Sequence, residues 1–167
     1  LVSNSIEANA RMCMTSAATG YLASYGSDAP PTSYEDIEEA DFIAFWGHNA
    51  REAHPILFWR VADYKQKAGI PTLVADPRRT DIVRSPHIEA AHHLALQPGT
   101  NVALLSSMAH VIVTEGLWDE PFVRERCATA DDYLAFIAGP EHSPEATEDV
   151  TGIPASDLRS AARLYAA

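Results

Sequence analysis

The stretch Asp41-Phe-Ile-Ala-Phe-Trp-Gly-His-Asn49 decides the fold. Its apolar run, Phe42 to Trp46, is bounded by an acid and a glycine and lacks the alternation of a half-buried strand. Such a run predicts a strand buried on both faces, as in a parallel sheet covered by helices. Downstream, Ile56, Leu57, Val61 and Tyr64 recur at helical spacing between His54 and Ala68, with Gly69 as the C-terminal cap. Pro71-Thr-Leu-Val-Ala75 is a second buried strand, broken by Asp76-Pro77, and His93-Leu-Ala-Leu-Gln97 is a third, ended by Pro98-Gly99. Thr100 is the expected N-cap of a long helix through Val102, Leu105, Met108, Val111 and Ile112, stopping at Gly116.

Strand, helix, strand, then strand and long helix is the order of an α/β fold: a three-layer parallel sheet with helices on both faces. Short helices are expected at Pro121–Arg126 and Asp131–Ile137, then a polar loop over Gly139–Pro144 and a last helix from Pro154 to Tyr165. Upstream, Gly26–Pro31 is dense in turn formers, and a short acidic helix covers Tyr34–Glu39. The whole of 1–167 reads as a single domain. Residues up to about 116 form the sheet core, and 117–167 form a helical part packed on it.

The formal charge of −11 excludes a bare nucleic-acid binder, which needs a basic footprint, and disfavours anionic lipid. No apolar run approaches the length that spans a bilayer. Cys13 and Cys127 are too distant in sequence to read as a disulfide framework, and a reducing compartment, the cytoplasm, fits them. The opening Leu1-Val-Ser-Asn lacks the pattern of a secretory signal and reads as the start of a piece cut from a longer protein.

In an open α/β sheet, ligands bind beyond the carboxyl ends of the strands. Three segments lie there. In Trp46-Gly-His-Asn-Ala-Arg-Glu-Ala-His-Pro55, Gly47 allows close backbone approach, and Asn49 and Glu52 supply polar groups beside a helix start that suits a phosphate. In Asp76-Pro-Arg-Arg-Thr80, the acid can accept from ribose hydroxyls or a guanine N–H edge, and an arginine can pair with a pyrophosphate. Gln97-Pro-Gly-Thr-Asn101 is another tight turn opening onto a helix. Taken singly, each reads as structural, Gly47 and Gly99 as strand-to-helix turns, Asp76-Pro77 as a helix stop and Arg78-Arg79 as a surface charge pair; three at equivalent ends of one sheet favour a ligand. Neither GxGxxG nor GxxxxGK[ST] occurs. Cys13, in Asn9-Ala-Arg-Met-Cys-Met14, stands where a helix begins, an environment that favours the thiolate a soft metal needs.

Five motifs in chain order, Asn9-Ala-Arg-Met-Cys-Met14, Trp46-Gly-His-Asn49, Glu52-Ala-His-Pro55, Asp76-Pro-Arg-Arg-Thr80 and Gln97-Pro-Gly-Thr-Asn101, resemble the molybdopterin oxidoreductases that carry a bis(molybdopterin guanine dinucleotide) cofactor. The resemblance implies that Cys13 ligates molybdenum. It also implies that Asn9, Trp46, Gly47, His48, Asn49, Glu52, His54, Asp76, Pro77, Arg78, Arg79, Thr80, Gln97, Gly99, Thr100 and Asn101 line the guanine dinucleotide. Met14 after the cysteine is similar to nitrate reductases, whereas formate dehydrogenases of this type carry histidine there. The Asp76–Thr80 turn resembles the assimilatory enzymes and formate dehydrogenases, and Asn101 departs from the usual aspartate. The implied activity is reduction of nitrate, a small oxyanion, to nitrite by two-electron oxygen-atom transfer. The implied partners are an electron-donor protein or domain and the remaining domains of the parent chain. A 4Fe-4S cluster belongs to the upstream part, and the isolated domain is expected to be inactive. The alternatives are a formate dehydrogenase of the same family and a non-catalytic α/β nucleotide-binding module.

The other candidates read as structural. His92 and His93 point to opposite faces of a strand and cannot share an ion, and His87, His110 and His142 have no partner at ligand spacing. His54 reads as a hydrogen-bond partner at a helix start, Cys127 as a small core residue, and Trp59 and Trp118 as packing residues.

Overall fold

The computed structural model describes residues 10–11 and 14–167, so the readings at Asn9 and Cys13 lie outside the described residues. The chain divides into two compact units, Leu1–Glu39 and Ala40–Ala167. In the first, helix α1 (Met14–Tyr25) is followed by a 3₁₀ turn over Glu35–Glu39, where the acidic helix was expected. Thr15 ties the start of α1 back to the carbonyl of Ala10 through both its amide and its hydroxyl.

The second unit is built on three parallel strands in the order β1 (Ile43–Trp46), β2 (Thr72–Ala75) and β3 (His92–Leu94). The register aligns Trp46 with Ala75, and Ala75 with Leu94, so the carboxyl ends of all three strands share one edge. Helices α2 (Ala50–Ala53) and α3 (Pro55–Ala68) cross from β1 to β2, and α4 (Asp81–Arg84) lies between β2 and β3. Then come α5 (Asn101–Thr114), α6 (Glu120–Arg126), α7 (Ala130–Ile137), α8 (Pro144–Thr151) and α9 (Ala155–Tyr165). Gly69 ends α3 in the left-handed conformation, at φ 70°, as the cap reading requires.

Pleat alternation divides the sheet between two sides. Leu73, Ala75 and Leu94 join Leu104, Met108 and Val111 of α5 and Leu158, Ala161 and Ala162 of α9 in one apolar cluster. Phe45 and Val74, paired across the strands, are buried on the other face. The crossover helix α3 supplies buried Phe58, Val61 and Ala62.

Several expectations are corrected. Strand β1 is not buried on both faces: only Phe45 is buried, because β1 is an edge strand whose Phe42 and Trp46 rings meet Tyr165 edge-on. Strand β3 ends at Leu94, not Gln97, since the Gln97 amide leaves the sheet to donate to the carbonyl of Thr151. The loop expected at Gly139–Pro144 is a 3₁₀ turn, Pro140–His142, leading into α8, whose first turn is capped by the Ser143 hydroxyl. Cys127 is an exposed thiol at the end of α6, not a core residue. With Trp118, Val123 and Tyr133 it borders an apolar cavity of about 390 Å³ between α5, α6 and α7. Trp59 is exposed on α3 rather than packed inside.

Candidate nucleotide-binding edge of the sheet

The carboxyl edge is held together by backbone. The amide of Gly47 donates to the carbonyl of Ala75 at 2.7 Å, and that of Asp76 to Leu94 at 3.2 Å, so the first residue beyond each of β1 and β2 is fastened to the next strand. Gly47 has φ 59°, a conformation that costs a residue with a Cβ, and an added Cβ would meet nothing within 4 Å. Its backbone is open to an approaching group. Gly99 repeats both properties at φ 90°.

Around this edge the structure arranges the sequence candidates differently. Asp76 is buried, and its Oδ1 accepts from the amide of Arg78 at 2.8 Å while the Arg78 Nε lies 3.5 Å away. One carboxylate oxygen therefore builds the turn that presents Pro77, Arg78 and Arg79 to solvent. The turn rests on His93, whose Nε2 lies 3.0 Å from the carbonyl oxygen of Asp76. The sequence reading passed over this support, and the signal that reveals it is the parallel pairing of β2 with β3. Thr80 closes the segment as the residue before α4, with its hydroxyl buried and without a hydrogen-bond partner.

The β1 loop holds a second orphan. Asn49 stands before α2, its side-chain oxygen buried and unpartnered. Beside it, Nε2 of His48 and Nδ1 of His54 are 2.9 Å apart, with the two rings edge to face. His54 sits at the N-cap position of α3 but makes no cap bond through its side chain, so its hydrogen-bond partner is a second histidine. The pKa of His48 is lowered, first by burial and then by the charge of His54. Glu52 is exposed on α2.

The third segment is bound into the fold. Gln97 is tied to Thr151, and its side chain lies against Gly152, where an added Cβ would approach it to 3.3 Å. Thr100 occupies the N-cap position of α5, yet its hydroxyl donates backwards to the carbonyl of Gln97 at 2.7 Å instead of capping the helix. Asn101 is exposed. His92 and His93 do point apart, His92 to Ser160 and His93 to Asp76. Among the described residues, no three His, Cys, Asp or Glu side chains are grouped to hold a metal ion.

An orphaned buried acceptor at Asn49, an orphaned hydroxyl at Thr80, two open glycine backbones and an arginine on a rigid turn suit a polar, anionic ligand with several hydrogen-bonding groups. The donor set fits the nucleotide part of a dinucleotide cofactor.

The family model described as molybdopterin oxidoreductase matches residues 1–154. The nitrate reductase of Symbiobacterium thermophilum is 37% identical over 169 residues, 96% of this chain and 22% of that protein. The periplasmic nitrate reductase of Desulfovibrio desulfuricans is 38% identical over 174 residues, 98% of this chain and 22% of that protein. Formate dehydrogenase H of Escherichia coli is 35% identical over 163 residues, with shares of 98% and 22%. The chain thus spans 22% of the length of each of these relatives. Among solved structures, acetylene hydratase from Pelobacter acetylenicus superposes with a TM-score of 0.76 at 27% identity, over 90% of this chain and 19% of that one.

Proposed function

Because this chain belongs to the molybdopterin oxidoreductase family, we propose that the carboxyl edge of its sheet binds the guanine dinucleotide part of a bis(molybdopterin guanine dinucleotide) cofactor in a nitrate reductase. The observation that carries the reading is the pair of buried orphans, Asn49 Oδ1 and Thr80 Oγ1, on adjoining loops of that edge. A buried polar atom without a partner costs about 1–3 kcal/mol. A ligand that completed both bonds would offset that cost.

In this reading Gly47 and Gly99 admit the ligand to the backbone, and Arg78, held by Asp76, pairs with the diphosphate. Cys13 is the protein ligand to molybdenum. When bound, the cofactor supplies the two-electron oxygen-atom transfer that turns nitrate into nitrite. The chain's own residues hold and orient the cofactor. The electron donor, the 4Fe-4S cluster and the rest of the substrate funnel belong to parts of the parent protein beyond these residues, so the domain alone is proposed to be inactive. The span 1–167 is proposed as one cofactor-binding domain of that protein.

Nitrate is favoured over formate by Met14, which follows Cys13. Formate dehydrogenase is the second reading, since formate dehydrogenase H is nearly as similar as the nitrate reductases. Viologen-linked nitrate reduction and formate oxidation by the full-length protein separate the two. Among the described residues no helix is long and apolar enough to cross a membrane. The proposed cytoplasmic location rests on the assimilatory character of the Asp76–Thr80 turn, and cell fractionation tests it against the periplasmic setting of the Desulfovibrio relative.

Thr80→Val tests the edge directly. Replacing an unpartnered hydroxyl by a methyl of similar shape should leave the cofactor-free protein as stable as before, or stabler. Cofactor retention, read as molybdenum and released guanine nucleotide per protein, should fall. Unchanged retention would remove Thr80 from the site, and a loss of stability would mean that its hydroxyl has a structural partner.

A further inference from the structure

The contact between His48 and His54 has a consequence for how the edge takes an anion. At 2.9 Å between Nε2 and Nδ1, only one N–H fits between the rings. The neutral pair holds that shared proton and one more on an outer nitrogen. A third proton, on the remaining outer nitrogen, gives the pair one positive charge and two outward donors. A fourth would set two N–H groups face to face and break the contact. The pair therefore has one accessible charging step.

Its position matters. His48 lies between Gly47, whose amide is fastened to the end of β2, and Asn49, whose buried oxygen lacks a partner. The charged groups on the neighbouring elements are Arg51 and Glu52 of α2, Arg60, Asp63, Lys65 and Lys67 of α3, Asp81 and Arg84 of α4, and Asp76, Arg78 and Arg79 of the β2 turn. Of these, Arg51 faces Asp81 at 3.9 Å and Arg78 faces Asp76, while the charge that acts on His48 is that of His54. Burial and that neighbour lower the pKa of His48, which favours its neutral form.

We propose that His48 and His54 act as a one-proton pair that takes up a single proton when the diphosphate of a nucleotide occupies the adjoining sheet edge. The proposal rests on the reading of that edge as a nucleotide site and adds a linkage to it. The proton comes from solvent, no bond to carbon or phosphorus changes, and the charge gained on the imidazoles offsets charge on the diphosphate. By linkage, affinity for the diphosphate should rise as pH falls toward the pair's own titration, by up to about tenfold per pH unit.

The test uses the cofactor-free full-length protein, with GDP as the probe and guanosine as the control. Calorimetry between about pH 7 and pH 8, above the ordinary histidine range, in buffers of different ionisation enthalpy, counts the protons taken up per ligand bound. GDP should bring an uptake approaching one proton and guanosine none. Replacing both, His48→Gln with His54→Gln, keeps two hydrogen-bonding side chains that cannot titrate, so the double variant should bind GDP without uptake and with a flat pH dependence. GDP binding to the wild type with no proton uptake, or uptake that persists in the double variant, would overturn the pair and leave the nucleotide site standing. Failure of the wild type to bind GDP at any pH would overturn the site and the pair together.

Discussion

The two ends of the Ala40–Ala167 unit are finished to different degrees. At the helical end, α5, α8 and α9 close on one another around Leu104, Val111 and Leu158, all nearly inaccessible to water. Outside that cluster, Glu115 receives Arg163 at 2.7 Å and Arg159, and Arg159 grips Glu145 through both carboxylate oxygens. Thr147 and Thr151, buried in α8, return their hydroxyls to carbonyls one turn back. Buried polar atoms without a partner occur at both ends, Ser107 and His142 at the helical one and Asn49 and Thr80 at the carboxyl edge of the sheet, but the guanidinium of Arg78 at that edge is 76% exposed, against 30% for Arg159. An end whose arginines are committed to carboxylates serves stability. One that leaves a guanidinium facing solvent can pair with an anion that arrives later.

That contrast can be broken by mutation. The largest effect is expected at Cys13, which on the family reading binds the metal. Cys13→Ser exchanges a soft thiolate for a hydroxyl, and nitrate reduction by the full-length protein should fall by more than about 100-fold, the upper range for residues that only support a ligand. X-ray absorption should show one sulfur fewer around molybdenum, and an unchanged sulfur shell with normal turnover would rule the assignment out.

Leu158→Ala belongs to the other end. It empties a fully buried site between α9 and the sheet and should cost about 2–5 kcal/mol, read from the urea midpoint. Molybdenum per folded molecule should stay level. If metal content falls in proportion to stability, the two ends are energetically one.

Arg78→Ala should show the reverse pattern. The side chain is 76% exposed, so folding stability should move by no more than about 0.5 kcal/mol while cofactor retention drops. Asp76→Ala sharpens the point, because it removes the buried acceptor that shapes the turn and should lower both. Full molybdenum content in Arg78→Ala would take the diphosphate role away from this turn.

The smallest effect concerns the ion pairs of the helical end. Bonds from Arg163 to Glu115 and from Arg159 to Glu145 hold both carboxyls below the ordinary glutamate range. A depressed folded-state pKa contributes stability at neutral pH that is lost as pH falls through that pKa. These groups are solvent-exposed, so the contribution is modest. Arg159→Gln should therefore lower Tm slightly at pH 7, and its difference from wild type should shrink below the usual glutamate range. A difference independent of pH would show that the pairs do not tune acid stability.

Much of the fold was legible because its signals are local. The breakers Gly47, Asp76-Pro77 and Gly69, set between apolar runs, located two strands and the crossover helix to within a residue or so. Helix α8 escaped notice because Pro144, Glu145, Thr147 and Glu148 carry little apolar periodicity, and its buried face is made partly of threonines whose hydroxyls bond within the helix. Cys127 was read inward from its type alone, whereas its place at the end of α6 sets it at the surface.

Residue types and spacings by themselves determined the order of elements, the parallel sheet and the three turns that share its edge, since each follows from hydrophobic period and backbone-breaking residues acting over a few positions. They also carried the family resemblance, with which the match over residues 1–154 agrees. Only the tertiary structure decided which polar atoms of that edge are already used. Asp76 is committed to its own turn, Gln97 to Thr151 and His48 to His54, while Asn49 and Thr80 are left without partners. The reason is that hydrogen-bond satisfaction depends on which groups the packing brings within about 3 Å of one another. These pairs come from strand register and chain crossings, not from any spacing along the sequence.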